Sequence, residues 1–300
     1  MTKKVSIYKV QLYNENFRVI HLKKSFIIFF PIIFIAAIVG CSSGYQLSPR
    51  EEVIFIPSPR DSSIKFETTI FMPRNTTDST SPLVIINHGT NPGGNQGRER
   101  STNPTKFFLS MNFPVILPMR RGYSESTGHE IGLHNCNLTK YGLDNAADID
   151  DVVAWIKTQS RFKDRKIIMI GQSTGGLATM AYSSLPYHRV DAIINFHGGM
   201  RPSSPDDCKW NARIEAFETY AKTSSPKSLW FYSANDHSSN PEYISRLYSA
   251  FTNSGGSAEL HQLPAFKNDG HYLFGDADGG QIWQPIVMEY LKQMNVFPTQ

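Results

Sequence analysis

The stretch Lys166-Ile-Ile-Met-Ile-Gly-Gln-Ser-Thr-Gly-Gly-Leu-Ala-Thr-Met180 constrains the fold of this 300-residue chain more than any other. Lys166 to Ile170 is mostly apolar and β-branched, which reads as a buried strand. Gly171-Gln172-Ser173-Thr174-Gly175 follows at once, and a helix begins over Leu177 to Ala181. Strand, G-x-S-x-G and helix in that order describe a nucleophile elbow, a sharp turn holding a serine in a strained conformation. Gly171 and Gly175 lie two residues either side of Ser173, where side chains would collide as the chain reverses. The helix start aims free N–H groups and the positive end of its dipole at the turn, a setting suited to developing negative charge. The competing reading is a glycine-rich turn with Ser173 as an ordinary helix N-cap.

The remaining pattern gives the elbow a context. Glu51 to Pro57 and Ser63 to Met72 read as a β-hairpin around a Pro/Ser/Asp turn. Pro82 to Asn87, Asn112 to Pro118, Val190 to Phe196 and Lys227 to Tyr232 read as strands, and Ala258 to Leu263 alternates as another. Helical spacing covers Tyr141 to Ser160, Pro241 to Ser254 and Gln281 to Met294, with a further helix near Asn211. Strands alternating with helices predict an α/β fold: a mainly parallel sheet of eight strands, antiparallel only at its opening hairpin, with helices on both faces. Functional groups collect at the carboxyl ends of strands in such sheets. His88-Gly89-Thr90, Ser173, Asp236 and His271 all follow predicted strands.

From about residue 51 onward the chain resembles the α/β-hydrolase superfamily, nearest its dienelactone-hydrolase-like and prolyl-oligopeptidase-like members. The resemblance rests on Asn87-His88-Gly89-Thr90, Arg120-Arg121-Gly122-Tyr123-Ser124-Glu125-Ser126-Thr127-Gly128, the elbow, Ser233-Ala234-Asn235-Asp236 and Asp269-Gly270-His271. The order Ser, Asp, His is that superfamily's. There are departures. Dienelactone hydrolases use a cysteine where this chain has Ser173, the oligopeptidases carry a propeller this chain has no room for, and Ser124 replaces the second glycine of the usual Arg-Gly-Tyr-Gly segment.

The resemblance implies a role for each residue. Ser173 attacks an acyl carbon and needs a base to take its proton. His271 is that base, because it lies beyond the last strand, whereas His261 lies within that strand and His237 adjoins the acid. Asp236 orients the imidazole, with Asp206 or Asp207 as rivals and a helix-capping acid as the alternative. Thr174, after the nucleophile, and Thr90, in the His-Gly-Thr loop, supply the backbone N–H groups of an oxyanion hole. His88 packs beneath that loop. One of Arg120 and Arg121 is structural, and the other is a candidate for a substrate carboxylate. Trp230, Phe231 and Tyr232 belong to the core, and His129 and His134 to solvated loops. No His/Cys/Asp/Glu cluster has metal-ligand spacing and no G-x-G-x-x-G follows a strand, so neither metal nor nucleotide cofactor is expected.

The N-terminus reads as a leader. Phe26 to Val39 is apolar, broken by Pro31 and preceded by Lys23-Lys24. It is short for a membrane span, which needs about 20 residues, and suits the core of a signal peptide. Ile38-Val39-Gly40-Cys41 resembles a bacterial lipobox, which implies residues 1–40 as signal peptide, Cys41 as a lipidated first residue and residues 41–50 as a tether. Ser42 resembles outer-membrane sorting, so the expected location is the periplasmic face of that membrane. An ordinary signal peptide or an uncleaved anchor is the alternative. Residues 51–300 then form a single domain. The leader holds six of the 30 basic residues and one of the 26 acidic ones, leaving 24 against 25. A near-neutral chain without a basic stripe gives no reason to expect nucleic acid. In an exported chain, Cys136 and Cys208 are either disulfide-bonded or two buried thiols.

The expected activity is a serine esterase, less readily a peptide-like amidase, acting on a small acyl substrate through an acyl-enzyme. About fourteen residues separate Phe196 from the helix near Asn211, too few for a large cap domain there. An acyltransferase using the same three residues and a non-catalytic surface module are the competing functions, since fold alone does not establish activity.

Overall fold

Alternation along the strands explains the layers. Successive residues along each central strand face opposite sides of the sheet, and both sets are apolar. Ile85, Ile167, Met169, Ile193 and Trp230 join one buried cluster; Val84, Ile86, Ile168, Ile170, Ile194 and Phe231 join a second. Strands buried on both faces need continuous apolar runs, and parallel sheets covered by helices are where such runs occur.

The computed structural model describes residues 51–74, 80–90 and 97–297. Its strands are β1 (Glu51–Pro57), β2 (Lys65–Phe71), β3 (Leu83–Asn87), β4 (Val115–Pro118), β5 (Ile167–Gln172), β6 (Ala192–Phe196), β7 (Ser228–Ser233) and β8 (Ala258–Leu263). They form one sheet in the order β1-β2-β4-β3-β5-β6-β7-β8. β1 pairs antiparallel with β2, and β2 with β4; every other pairing is parallel. This is the expected α/β-hydrolase sheet. The chain crosses over at β3, so β3 and β5 lie side by side at its centre with their carboxyl ends together.

The helices are α1 (Thr102–Ser110), α2 (Leu138–Thr158), α3 (Thr174–Ser183), α4 (Lys209–Ala221), α5 (Pro241–Asn253) and α6 (Gly280–Gln293). Apolar faces of α2, α3, α4 and α5 fill the first cluster; Phe108 of α1 and Trp283, Val287 and Leu291 of α6 fill the second. α3 is buried along its entire length, which is why its sequence is apolar all round. α2 starts earlier than the spacing predicted, because the Asn137 side chain caps it by accepting from the Lys140 N–H at 2.8 Å. α1 was not expected. It has no side-chain cap, and Pro104 stands in its first turn, where a missing N–H costs nothing. β4 begins at Val115 rather than Asn112, because Asn112 adopts φ +64° and leaves extended geometry.

Cys136, just ahead of α2, and Cys208, at the start of α4, form a disulfide. Arg121 and Arg60 both bond Asp148, and Arg60 also bonds Asp151, tying the segments after β4 and β1 to α2. The expected leader, Cys41 and the tether lie outside the described residues. Among the described residues no helix is long and apolar enough to cross a membrane.

Candidate active site

β5 ends at Gln172, and the chain must reverse within one residue to enter α3. Ser173 makes that reversal with φ +57° and ψ −126°. A non-glycine residue so placed costs about 1–3 kcal/mol and persists only where its surroundings over-determine it. They do. The Ser173 N–H donates to the Phe196 carbonyl at 3.0 Å, and its carbonyl accepts from Leu177 at 3.1 Å and Gly199 at 3.0 Å. A Cβ on Gly175 would fall on the Asn87 carbonyl oxygen, and one on Gly171 on the Gly175 carbonyl oxygen. Both glycines are therefore required by backbone, which cannot swing aside as a side chain could. Ser173 stands at the N-cap position but makes no side-chain capping bond. Its hydroxyl is not spent on the helix, against the N-cap reading.

The loop after β7 supplies Asp236, and the single 3-10 turn Gly270–Tyr272 supplies His271. Asp236 Oδ1 lies 3.0 Å from His271 Nδ1 and accepts the Ser238 N–H at 2.7 Å; its Oδ2 accepts from Ser239 Oγ at 3.2 Å. Burial opposes its charge. The His271 hydrogen bond, the pull of His197 and His271 and the Ser238 amide outweigh that and hold its pKa down to about 2. His271 is thus tethered through Nδ1, leaving Nε2 for another partner. The rival acid Asp207 instead bonds Ser203 and Lys209. His237 pairs with Asp269 and His261 with Glu259. Among the described residues, only His271 bonds Asp236 through its ring.

Fixed contacts aim the histidine turn. The Gln172 side chain, adjacent to Ser173, donates to the His271 carbonyl at 3.1 Å, and Asp269 accepts the His271 N–H at 3.0 Å. Asn235 Oδ1 accepts from Phe266 at 2.8 Å and its Nδ2 donates to the Lys267 carbonyl at 3.0 Å, fastening the approach to the turn. Ser173, Gln172, His271, Gly89 and Thr90 line one cleft of about 110 Å³. That is well below the ~300–1,000 Å³ of sites that engulf drug-sized ligands.

The two threonines expected to stabilise an oxyanion are joined, Thr90 Oγ1 to Thr174 Oγ1 at 2.9 Å. Thr174 opens α3, so its N–H has no acceptor within the helix. A Cβ on Gly89 would sit 2.8 Å from the Ser173 Cβ, which shows how closely this loop passes the serine. Arg120 braces the loop: it donates to Thr90 Oγ1 at 2.7 Å and Tyr141 Oη at 2.9 Å, and its guanidinium stacks 4.5 Å from the Tyr123 ring centroid. Its backbone N–H donates to His88 Nε2 at 3.0 Å. Burial, with the Arg120 charge beside it, pushes the His88 pKa down to about 3, so His88 is a neutral packing residue beneath the loop. Arg121 is committed to Asp148. The structure therefore offers neither Arg120 nor Arg121 to a substrate carboxylate, and that expectation is corrected: both guanidiniums hold elements together.

One buried group escaped the sequence reading. His197 follows β6 and is fully buried, with φ +53°. Its Nε2 accepts the Ser233 N–H at 3.0 Å, which puts any single ring proton on Nδ1, and its ring centroid lies 5.6 Å from that of His271. Burial pushes its pKa down to about 4, the His271 charge adds to this, and Asp236 and Asp269 pull the other way. The rule used for the other strands would have found it, since His197-Gly198-Gly199 sits at a strand's carboxyl end.

These shifts fix a sign. His88 and His197 stay neutral in the fold, whereas an unfolded histidine protonates near ~6.5. Their contribution is complete above that pH and declines as pH falls towards about 4 for His197 and about 3 for His88. Asp236 adds its own loss only below the ordinary carboxylate range. Denaturant melts should show unfolding free energy falling from pH 6.5 to 4, with a shallower fall in His197→Asn. Equal slopes in both proteins would contradict the burial argument.

Solved structures share this fold. An esterase of Pyrococcus furiosus superposes with a TM-score of 0.59 at 16% identity, covering 81% of this chain and 90% of that one. Est1E of Butyrivibrio proteoclasticus, solved with ferulic acid, gives 0.59 at 19%, covering 81% and 99%. The acylaminoacyl peptidase of Pyrococcus horikoshii gives 0.62 at 14%, covering 85% of this chain but 43% of that one. At such identities they speak for the fold. The sequence model of the X-Pro dipeptidyl-peptidase (S15) family matches residues 61–250. The chain therefore belongs to that family, and it is a serine hydrolase of the α/β-hydrolase fold.

Proposed function

We propose that Ser173, His271 and Asp236 are the catalytic residues of a hydrolase acting on carboxylic esters, or on peptide-like amides, through an acyl-enzyme. The observation that carries this is the Asp236–His271 Nδ1 bond at 3.0 Å in a cleft that His271 shares with the uncapped, strained Ser173. His271 Nε2 takes the hydroxyl proton as Ser173 Oγ bonds the acyl carbon. The carbonyl electrons move to oxygen, and the oxyanion meets the N–H groups of Thr174 and Thr90. Collapse breaks the bond to the alcohol or amine, which leaves with the proton from His271. Water, deprotonated by the same imidazole, then releases the acid and restores Ser173. Asp236 stays ionised throughout and steadies the imidazolium.

The S15 match favours testing amides beside esters. A panel of p-nitrophenyl esters of rising acyl length and an X-Pro p-nitroanilide, assayed near pH 7.5, separates the two. Short esters should turn over, and Asp236→Asn should lower kcat by about 10³–10⁴-fold with KM little changed, by analogy with the loss of the triad acid elsewhere. Wild-type turnover matched by Ser173→Ala would refute the assignment.

We also propose export as a lipoprotein, with residues 1–40 removed and Cys41 lipidated, so that the domain hangs by residues 41–50 from the periplasmic face of the outer membrane. What supports it is the Gly40-Cys41 junction behind an apolar run with basic residues ahead of it. Radiolabelled palmitate should enter the membrane-fraction protein and be absent from Cys41→Ser. Equal incorporation in both, or none in the wild type, would reject it.

A further inference from the structure

One arginine of the cleft differs from the cleft's acids in how its side chain is engaged. Besides His271, the cleft presents Glu99, Asp269 and Arg201. Both acids are occupied. Asp269 accepts the His271 and His237 N–H groups, and Glu99 Oε1 accepts the N–H groups of Arg100 and Ser101 and the Ser101 hydroxyl. Arg201 is exposed, and among the described residues no carboxylate or carbonyl bonds its guanidinium. By contrast, Arg120 and Arg121 beside the same strand ends, and Arg213 in the core, are bonded within the fold.

The backbone carrying Arg201 is anchored on both sides. Gly199, two residues before it, donates to the Ser173 carbonyl. Ser203, two residues after it, is held by the Asp207 carboxylate at 2.7 Å, and the Cys208 disulfide follows. Pro202 stiffens the step between. A guanidinium presented from a fixed segment, on the cleft that Ser173 also lines and without a partner among the described residues, matches the planar two-oxygen face of a carboxylate.

We propose that Arg201 is a specificity residue that binds a carboxylate on the substrate, so that the natural substrates are esters or amides of acidic compounds. This rests on the serine-hydrolase reading of Ser173. The carboxylate can lie on the acyl or the leaving side, and two matched pairs separate these cases. Mono-p-nitrophenyl adipate is compared with p-nitrophenyl hexanoate, and 4-acetoxybenzoate with its methyl ester. The readout is the kcat/KM ratio of charged to neutral member within each pair, which cancels any general change in the enzyme.

Wild-type protein at 20 mM salt should favour the charged member at least tenfold in one pair. That ratio should fall tenfold or more in Arg201→Ala, fall further in Arg201→Glu, recover partly in Arg201→Lys, and shrink in 0.5 M salt as screening requires. Turnover of the neutral esters with the same ratio in wild type and Arg201→Ala, or preference for the neutral member in both pairs, would overturn the proposal alone. A wild-type protein that hydrolyses none of the four esters overturns the reading beneath it and this proposal with it.

Discussion

The backbone of Ser173 is the constraint on which the rest of the molecule depends. Its left-handed φ is unfavourable for a serine, and three elements combine to impose it. β3 presents carbonyls against Gly175, β6 bonds the Ser173 N–H, and the Gly199 segment bonds its carbonyl. The parallel pairing of β3, β5 and β6 brings those groups to one level. The surrounding core is needed for that accuracy: α3 can begin where it does because it is packed on every side. A bulkier residue at either elbow glycine would meet backbone that the whole sheet holds in place.

Electrostatics around the turn follow a consistent pattern. Groups that must stay neutral, His88 and His197, are buried and accept hydrogen bonds from backbone N–H groups. The acid bonded to His271, Asp236, is buried but supplied with donors on both oxygens. Desolvation alone would neutralise it, so the hydrogen bonds decide its state. Arg120 and Arg121 hold structural elements together, whereas the Arg201 guanidinium, on the same cleft as Ser173, makes no bond among the described residues.

Much of this was legible in the sequence, for identifiable reasons. Doubly buried strands announce themselves as apolar runs, so β3, β5, β6 and β7 were placed to within two residues. Steric need made Gly171 and Gly175 readable, and chain order led to Asp236 and His271. α1 was missed because its signals are weak: only Pro104, Thr105 and Phe108 of it are buried, and no side chain caps it. Residue type could not distinguish Arg120 and Arg121 from a ligand-binding arginine. Their partners Tyr141 and Asp148 come from α2, about twenty to twenty-seven residues on, and only the packed fold brings them together. Disulfide pairing had the same character, since Cys136 and Cys208 stand 72 residues apart.

The central claim is that one hydroxyl, at residue 173, is the nucleophile. The most direct measurement is to treat the folded protein with a fluorophosphonate near neutral pH and map the adduct by tryptic mass spectrometry. The account predicts a single phosphonyl group on Ser173, absent from His271→Ala over the same interval because the base is gone. An adduct on another residue, or none on wild-type protein while melts show it folded, would contradict it.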